Sequence, residues 1–522
     1  MTIDTIADII RVHAVERPDQ AMVTLSATGE TKTYAEVYAR AGQMAHALAG
    51  AGVGAGNRVA FLDKNSIEYF EVLFGGSLIN AVNVAVNWRL AAPEMAYIIN
   101  DSDATVLFIH TDFAEQLAAM RADLTNITTV VVMGDEALVA EGDIAYEAFL
   151  ADHPTDDPGD QSGDDDVSLQ LYTSGTTGRP KGAQLTNYNF TSLVKAADFW
   201  EMDATSVSLV AMPLFHIGGS GWALFGMSKG ATSIVMREVD PMVVFQLIEQ
   251  YSISHMFLVP AALQFLLLLP AEESDLSSME LVVYGASPIT EEVLVGSMNQ
   301  FGCDFMQVYG LTETTGLVTF LPPEDHDPGG AKADLLRSAG KAIPGVQLKI
   351  VDEDSGEALP DGEVGEVWIN SPANMAGYWK LADATNEALP GDNWFRSGDA
   401  GYMKGEHLFI HDRVKDMIVS GGENVYPAEI ENVMMSHDSV ADVGVIGIPS
   451  DKWGETPLAL IVLAEGHELD QDALIAHCRV ELASFKIPSA VETIDALPRN
   501  PSGKILKREL RAPYWADSDR NV

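Results

Sequence analysis

The hydrophobic and polar residues in the N-terminal part of the chain follow two patterns that alternate. Short apolar runs, typical of buried strands, occupy Arg58–Leu62, Thr105–Ile109 and Thr129–Met133. Longer stretches with apolar residues three or four positions apart, typical of helices, occupy Thr33–Ala51 and Ile67–Ile79. Strands that alternate with helices predict an α/β fold.

The glycine-rich segment Ala51–Asn57 lies between a predicted helix and the strand that follows it. A dinucleotide-binding loop needs the opposite order, with its glycines after a strand and before a helix. The segment is therefore predicted to end the helix and form a turn.

The N-terminal residues form an amphipathic pattern. Ile6, Ile9, Ile10 and His13 fall near one face of a predicted helix. The same segment lacks the basic and apolar regions of an export signal, so a cytoplasmic protein is the expectation.

The uncharged stretch Val207–Met227 is long enough to raise the question of a membrane span. Pro213, His216 and several glycines interrupt it, which favours a buried strand followed by a helix that lines a substrate pocket. The leucine run Leu263–Leu269 is too short to span a bilayer. No transmembrane segment is predicted.

The pattern of predicted strands and helices changes after the charged cluster Asp412–Asp416, which separates two strand-like runs. Pro427 then stands at a plausible first helical turn, and Val440–Ile448 reads as a strand. The pattern predicts a small α+β domain at residues 417–522, a hinge at residues 412–416 and a large N-terminal domain at residues 1–411.

Composition narrows the partners of the protein. With 522 residues the chain exceeds the size of one hydrophobic core, and its 76 acidic against 31 basic residues give a net charge of −45. A surface this acidic repels nucleic acid, and it fits either a saline environment or a need for solubility. Cys303 and Cys478, the only cysteines, support neither a disulfide framework nor a cysteine metal site.

The most informative segment is LYTSGTTGRPKG, which runs from Leu171 to Gly182. Its glycines let backbone N–H groups face an anion, its hydroxyls add donors, and Lys181 adds a positive charge. Pro180 and Gly182 flank that lysine, unlike in a Walker A loop. Composition alone would also fit a surface loop, but the order of the residues favours a site for a polyphosphate such as ATP.

That segment resembles the signature of the adenylate-forming enzymes, which include acyl-CoA synthetases, adenylation domains of peptide synthetases, and luciferases. Other motifs of the family follow in the family's order and cover nearly the whole chain. They are PLFHIGG from Pro213, YGAS from Tyr284, YGLTETT from Tyr309, GDNWFRSGDAGY from Gly391, DRVKDMIVSGGENVYPAEIE from Asp412, and PRNPSGKILKREL from Pro498. The resemblance implies a large N-terminal domain of α/β and β-barrel-like parts with a small mobile C-terminal domain.

The resemblance also implies a site for ATP. The residues expected to hold its phosphates are Thr173, Ser174, Gly175, Thr176, Thr177 and Lys181. Glu313 is expected to bind Mg²⁺, and Thr312 to contact the α-phosphate. The adenine is expected against Gly285, Ala286, Ser287 and the ring of Tyr309, and the ribose hydroxyls at Asp399 and Arg413. Taken alone, Asp399 would be a turn residue and Arg413 a surface ion-pair partner.

The C-terminal motifs imply the second half of the chemistry. Lys504 resembles the family lysine that reaches the α-phosphate and the substrate carboxylate, although by composition it lies in a basic tail. Lys415 takes the position of the hinge residue. The residues expected to contact CoA are Gly421, Gly422 and Glu423 along the pantetheine passage and Lys486 at a phosphate.

The acid is expected in a pocket formed by Phe215, His216, Gly218 and Trp222, with His216 as a gate; alone, His216 would fit a satisfied core histidine. This segment contains no charged side chain to pair with a second carboxylate or an amino group, so a fatty, alicyclic or aryl acid is expected.

Together these residues predict an acyl-CoA ligase that uses ATP, Mg²⁺ and CoA. The alternatives are a synthetase that loads a separate carrier protein, a luciferase-like oxidation, and a non-catalytic acyl- or nucleotide-binding protein. A homodimer is compatible with the prediction.

Overall fold

The computed structural model describes residues 2–159, 162–173, 179–196, 198–287, 289–352, 355–413, 416–420, 423–450, 453–482, 486–499 and 505–515. The helices are α1 (Ile6–Glu16), α2 (Tyr34–Gly50), α3 (Ile67–Leu78), α4 (Ala92–Asp101), α5 (Ala114–Met120), α6 (Tyr146–Leu150), α7 (Asn187–Ala196), α8 (Ile217–Ser228), α9 (Pro241–Tyr251), α10 (Pro260–Leu266), α11 (Glu291–Phe301), α12 (Ala382–Ala388), α13 (Pro427–Met435), α14 (Gln471–Glu481) and α15 (Lys507–Trp515).

The strands are β1 (Ala21–Leu25), β2 (Thr31–Thr33), β3 (Arg58–Leu62), β4 (Val82–Ala85), β5 (Val106–His110), β6 (Thr129–Met133), β7 (Ile144–Ala145), β8 (Val167–Thr173), β9 (Lys181–Thr186), β10 (Val207–Val210), β11 (Thr232–Val235), β12 (His255–Leu258), β13 (Leu281–Gly285), β14 (Asp304–Tyr309), β15 (Thr319–Leu321), β16 (Gly340–Ala342), β17 (Gln347–Val351), β18 (Gly365–Asn370), β19 (Gly377–Tyr378), β20 (Trp394–Lys404), β21 (His407–Arg413), β22 (Ile418–Ser420), β23 (Glu423–Val425), β24 (Val440–Ser450), β25 (Gly454–Leu463) and β26 (Ala490–Thr493).

Two large sheets build the N-terminal part of the molecule. Among the described residues, the larger sheet has the strand order β17-β18-β20-β21-β16-β15-β14-β13-β12-β10-β11-β1-β2, and the second has the order β19-β9-β8-β4-β3-β5-β6-β7. The strands from β10 to β14 pair in parallel in the larger sheet, whereas those from β14 to β21 pair antiparallel. The expected α/β fold is confirmed, and the antiparallel strands extend the larger sheet.

The helix boundaries follow from local chemistry. The Thr33 hydroxyl accepts a hydrogen bond from the Glu36 N–H at 3.2 Å, and the Glu36 carboxylate accepts one from the Thr33 N–H at 2.8 Å. This reciprocal pair starts α2 by satisfying two donors that the first helical turn leaves open. Thr5 and Asp8 start α1 in the same way. The predicted helices at Thr33–Ala51 and Ile67–Ile79 are therefore confirmed to within one residue at each end.

Helix α3 lies in the core that the two large sheets share. All of its residues except Glu68 are buried, as expected of a helix that is apolar on nearly every face. The Glu71 carboxylate is buried within it and is satisfied by the Tyr146 hydroxyl at 2.6 Å, Arg40 Nε at 3.1 Å and Lys32 Nζ at 3.2 Å. The buried charge thus has several partners, which a carboxylate in a core requires.

The uncharged stretch Val207–Met227 forms β10 and then α8, as predicted. Within the described part of the chain, no helix combines the length and the apolar character that a bilayer span needs.

The C-terminal part has a sheet and a core of its own. Strands β22 to β26 form the third sheet, and Ile418, Val445, Ile461 and Leu474 belong to one buried cluster beneath it. A large N-terminal domain and a small C-terminal domain are therefore present. The exact hinge at residues 412–416 stays a prediction.

Candidate active site

The segment that is expected to bind phosphates connects the paired strands β8 and β9. Strands β8 and β9 pair antiparallel, and Thr173 lies directly opposite Lys181 at the end nearest this segment. The expected loop residues Ser174, Gly175, Thr176 and Thr177 lie outside the described residues. Thr173 and Lys181, the facing ends of the two strands, form the mouth of the β8–β9 hairpin.

Glu313 faces this mouth from the larger sheet. It lies on a short 3-10 helix, Thr312–Thr314, that follows β14. Its Oε1 accepts hydrogen bonds from the Tyr378 hydroxyl at 2.8 Å and from the Thr173 hydroxyl at 3.4 Å. Its Oε2 has no hydrogen bond in the described part of the chain, which leaves one carboxylate oxygen for a cation or a water molecule.

The backbone around Glu313 is also fixed. The Met375 N–H donates to the Glu313 carbonyl at 2.8 Å, and the Thr315 hydroxyl donates to the Ala373 carbonyl at 2.7 Å. Thr315 itself has a left-handed φ of 55°, which ends the short helix. The backbone just before β19, at Ala373 and Met375, therefore holds in place the turn that carries Thr312 and Glu313.

Tyr378 is a site residue that the sequence reasoning missed. It lies in β19, which pairs with β9, and Lys181 Nζ is 5.1 Å from the centroid of its ring. Its ring supports the lysine by a cation–π contact while its hydroxyl binds Glu313. The sequence pattern Gly377-Tyr378-Trp379, an aromatic pair after a glycine, was the available signal.

Gly285 and Ala286 form a tight turn at the end of β13. A Cβ on Gly285 would lie 2.3 Å from the Val308 carbonyl oxygen, so only glycine fits there. Ala286 has a φ of 67°, in the left-handed region. Both are next to the end of β14, where Tyr309 lies. Ser287 follows in the same turn.

Tyr309 and Asp399 are in direct contact. The Tyr309 hydroxyl donates to the Asp399 carboxylate at 2.7 Å, and Asp399 is buried. The Asp399 N–H donates to the Ser397 hydroxyl at 3.0 Å, which fixes the turn at Gly398. Asp399 also pairs in register with Arg413 on β21, which brings the backbone of Arg413 to the same place; the Arg413 side chain is outside the described residues.

The expected acid pocket begins at the turn Pro213–His216. The ring of Phe215 is buried, 4.5 Å from the ring of His216 and 6.4 Å from that of Trp88 in an edge-on contact. His216 caps the start of α8, and its Nε2 is buried without a hydrogen bond partner in the described part of the chain.

His216 is neutral in this setting. Burial, together with a smaller effect of the nearby Arg89 guanidinium, lowers its pKa to about 4. That guanidinium lies 4.2 Å above the ring of Trp88 and 6.0 Å from that of Phe215, so it stays close to the histidine. The apolar surroundings therefore disfavour a charged imidazole.

Aromatic rings also surround the first turns of α8, the next part of the expected acid pocket. Trp222 on α8 is buried, and its indole N–H donates to the Leu209 carbonyl at 3.0 Å. Its ring lies 6.1 Å from that of Phe257, and a Cβ on Gly218 would lie 3.0 Å from the Phe257 ring. The glycine thus leaves a narrow slot beside Phe257, a residue that sequence reasoning did not select.

Most of the site residues predicted for the C-terminal part lie outside the described residues. Lys415, Gly421, Gly422 and Lys504 lie outside the described residues, as does the side chain of Glu423. The ammonium of Lys486 forms an ion pair with Glu429 at 2.5 Å, so a phosphate would have to compete with that carboxylate.

A second polar cluster lies at the ends of β3 and β5. Asp63, His110 and Asp112 have the spacing of metal ligands. The Arg237 guanidinium already bridges the two carboxylates, at 2.9 Å from Asp63 and 3.0 Å from Asp112. This cluster is therefore an ion-pair network that joins the two large sheets.

The chain is similar to known proteins over its whole length. The sequence profile described as AMP-binding enzyme matches residues 10–379, and that of the AMP-binding enzyme C-terminal domain matches residues 429–504. A fatty acid–[acyl-carrier-protein] ligase, ScoC of Streptomyces coeruleorubidus, is 40% identical over 100% of this chain and 98% of its own length. A feruloyl-CoA synthase of an Amycolatopsis species is 38% identical over 93% and 94%.

A solved structure has the same fold over its whole length. The anthranilate CoA ligase AuaEII, in complex with anthranoyl-AMP, superposes with a TM-score of 0.90 at 26% identity and covers 99% of this chain and 98% of its own.

Proposed function

Because the chain belongs to the family of AMP-binding enzymes and is an adenylate-forming acid–thiol ligase, we propose that it activates a hydrophobic carboxylic acid with ATP and transfers the acyl group to CoA. In the first step the carboxylate attacks the α-phosphorus of ATP, and pyrophosphate leaves. In the second step the CoA thiolate displaces AMP from the acyl adenylate. AMP is a far better leaving group than oxide, which is why the activation is needed.

One observation carries the proposal. The Glu313 carboxylate bridges Thr173 and Tyr378 at the mouth of the β8–β9 hairpin, and Tyr309, the last residue of β14, donates a hydrogen bond to the buried Asp399 carboxylate. Both substrates of the first step are anions, so catalysis depends on positioning and charge stabilisation. Lys181 supplies positive charge beside the phosphates, and Asp399 accepts hydrogen bonds from the ribose hydroxyls.

Glu313 would hold Mg²⁺ through its unbonded oxygen. A hard cation prefers carboxylate and phosphate oxygens, and this set is available at the mouth of the hairpin. When bound, Mg²⁺ supplies charge compensation for the phosphates. Tyr378 and Thr173 orient the carboxylate for that task.

The acid side supports an apolar substrate. The rings of Phe215, Trp222 and Phe257 form the apolar part of the proposed pocket, and neutral His216 adds no charge to it at physiological pH. These rings and neutral His216 offer no charged partner to a second carboxylate or an ammonium, and the nearby Arg89 guanidinium is stacked on the Trp88 ring. The relatives named above act on fatty and aryl acids, which agrees with a hydrophobic acid.

The two steps would use different faces of the small domain. In this proposal Lys504 contacts the α-phosphate during adenylation. The Gly421-Gly422 segment then lines the passage for the pantetheine thiol after rotation about Lys415. The resemblance of the motifs around these residues supports the assignment.

A second acceptor has specific support. The relative that covers the whole chain at 40% identity is named as a ligase for a carrier protein. A carrier-bound pantetheine thiol would attack the adenylate in the same way as CoA. Release of AMP in the presence of CoA, compared with a panel of holo-carrier proteins, separates the two acceptors.

Pyrophosphate release with a panel of acids tests the first step. Fatty and aryl acids are expected to support release that requires both ATP and Mg²⁺, whereas amino acids and dicarboxylic acids are expected to be inactive. Release that is as fast with a dicarboxylic acid as with any hydrophobic acid would contradict the proposed substrate class.

A further inference from the structure

Asn65 connects the second sheet to the turn that carries the acid pocket. It is 2% exposed and lies between β3 and α3. Its side-chain N–H donates to the Met212 carbonyl at 3.0 Å, and its side-chain oxygen accepts from the Leu214 N–H at 2.9 Å. One amide group therefore bridges the residues on both sides of Pro213.

The turn depends on this bridge because the backbone cannot supply it. Pro213 has no N–H, and neither the Met212 carbonyl nor the Leu214 N–H has another partner in the described part of the chain. The next bond, from the His216 N–H to the Pro213 carbonyl at 3.0 Å, closes the turn that holds Phe215 and His216. Loss of Asn65 would leave two buried backbone groups unpaired at the start of that turn.

The loop that carries Asn65 is itself held in place. Its backbone N–H donates to the Arg237 carbonyl at 3.0 Å. The Arg237 guanidinium binds the buried Asp63 carboxylate at 2.9 Å, and that carboxylate accepts the Lys64 N–H at 2.7 Å. The amide is thus presented from a fixed support.

Helix α3 approaches the next part of the same segment. Burial raises the pKa of the Tyr69 hydroxyl, and Ser220 lies close enough to this phenol to oppose the rise in part. The Ser220 hydroxyl donates to the His216 carbonyl at 3.1 Å. Tyr69 on α3 therefore lies next to the first turn of α8, where His216 is the N-cap residue.

We infer that Asn65 is a positioning residue for the acid, which sets where Phe215 and His216 stand and thereby the affinity for the carboxylic acid. In the described structure it bonds to none of the residues assigned to the nucleotide, which are Thr173, Lys181, Glu313, Tyr309 and Asp399. Replacement of Asn65 should therefore change the KM for the acid and leave the KM for ATP unchanged. The inference rests on the proposed function of the pocket.

Steady-state kinetics of Asn65→Leu test this inference. The KM for the best acid of the panel is expected to rise about tenfold, the scale for a buried donor and acceptor that each lose a partner, with the KM for ATP unchanged. Asn65→Ala, which leaves room for a bridging water, should show a smaller shift in the same direction and provides the measurement if the leucine variant folds poorly.

Ser66→Ala is the matched control. Ser66 is adjacent and buried, and its hydroxyl has no partner in the described part of the chain, so its removal should leave both KM values unchanged. A merely structural role of Asn65 would lower kcat with the folded fraction while both KM values stayed the same.

A lower kcat with both KM values unchanged, found in both Asn65 variants, would overturn the inference. An active Asn65 variant with an unchanged KM for the acid would do the same. Either result would leave the proposed function intact. A wild-type enzyme that turns over no hydrophobic acid would overturn both.

Discussion

The two sides of the candidate site are built by different means. On the nucleotide side, Glu313 contacts Thr173 and Tyr378, and Tyr309 contacts Asp399, through side-chain hydrogen bonds between 2.7 and 3.4 Å. On the acid side, Phe215 and Trp222 make ring contacts, and the polar bonds go to the backbone behind them. The nucleotide side is a polar network, and the acid side is an apolar surface on a polar support.

This difference has a functional consequence. ATP is the same in every member of such a family, so its polar contacts can be fixed side chain by side chain. The acid varies, and an apolar wall discriminates by size with only about 1–3 kcal/mol for each methylene group. Selectivity should therefore change with small substitutions on the acid side, and activity should be lost with small substitutions on the nucleotide side.

The largest effect is expected at Lys504. Lys504→Ala should abolish adenylate formation but still convert a supplied acyl adenylate to the thioester, because thiol attack needs no clamp on the α-phosphate. Lys415→Pro should show the opposite defect, since proline fixes φ near −65° and hinders rotation at the hinge. Single-turnover assays of each half-reaction measure both. Equal loss of the two steps in Lys504→Ala would refute the separation.

The next effect tests the polar network. Glu313→Gln should reduce adenylation by about 10²-fold or more, the scale for loss of a preorganised charge-stabilising group. Tyr378→Phe keeps the charge and removes one hydrogen bond to it, so its loss should be smaller, about tenfold. Pyrophosphate release at saturating acid gives both values. Wild-type turnover by Glu313→Gln would remove the Mg²⁺ assignment.

Addition of one methyl group at Gly218 tests the apolar surface on the acid side. Gly218→Ala places a Cβ 3.0 Å from the Phe257 ring, which narrows the slot. The kcat/KM for bulky acids should fall about tenfold relative to small acids, with the KM for ATP unchanged. Gly226→Ala, whose Cβ would have its nearest neighbour at 3.7 Å, is the control on the same helix. Equal loss for all acids in Gly218→Ala would place the slot elsewhere.

The smallest effect concerns pH. Because burial lowers the pKa of His216 to about 4, the ring should stay neutral between pH 5.5 and 8, about the range of an enzyme assay. His216→Gln should therefore lower activity without changing the shape of the pH profile in that range. The unfolded chain binds this proton near pH 6.5 and the folded one near 4, so His216 reduces stability as the pH falls between these values.

A titration near pH 6.5 that is present in the wild-type profile and absent from that of His216→Gln would show that the ring is charged in this range. That result would contradict the apolar environment assigned to it.

Much of the fold could be predicted from local patterns. The strands at Arg58–Leu62 and Thr129–Met133 appear with the predicted bounds, and the motifs alone select Glu313 and Tyr309 as candidate site residues. Local periodicity is sufficient for elements of this kind because each reports its own buried face.

Tyr378 and Asn65 could not be found in that way. Tyr378 binds a residue 65 positions away, and Asn65 binds one 147 positions away, so only the packing of the two sheets brings them together. Asn65 is one of four consecutive polar residues, Asp63–Ser66, between two apolar runs, and in sequence such a segment resembles any loop. The identity of the acid is equally hidden, because the shape of an apolar pocket depends on many side chains from distant strands.

The most direct test of the central claim is a single turnover with ATP and a hydrophobic acid in the absence of CoA, followed by a chase with CoA. The account predicts that an acyl adenylate accumulates on the enzyme in the first phase, with one pyrophosphate released, and converts to acyl-CoA and AMP in the second. No adenylate with any hydrophobic acid, or an adenylate that CoA leaves unchanged, would contradict it.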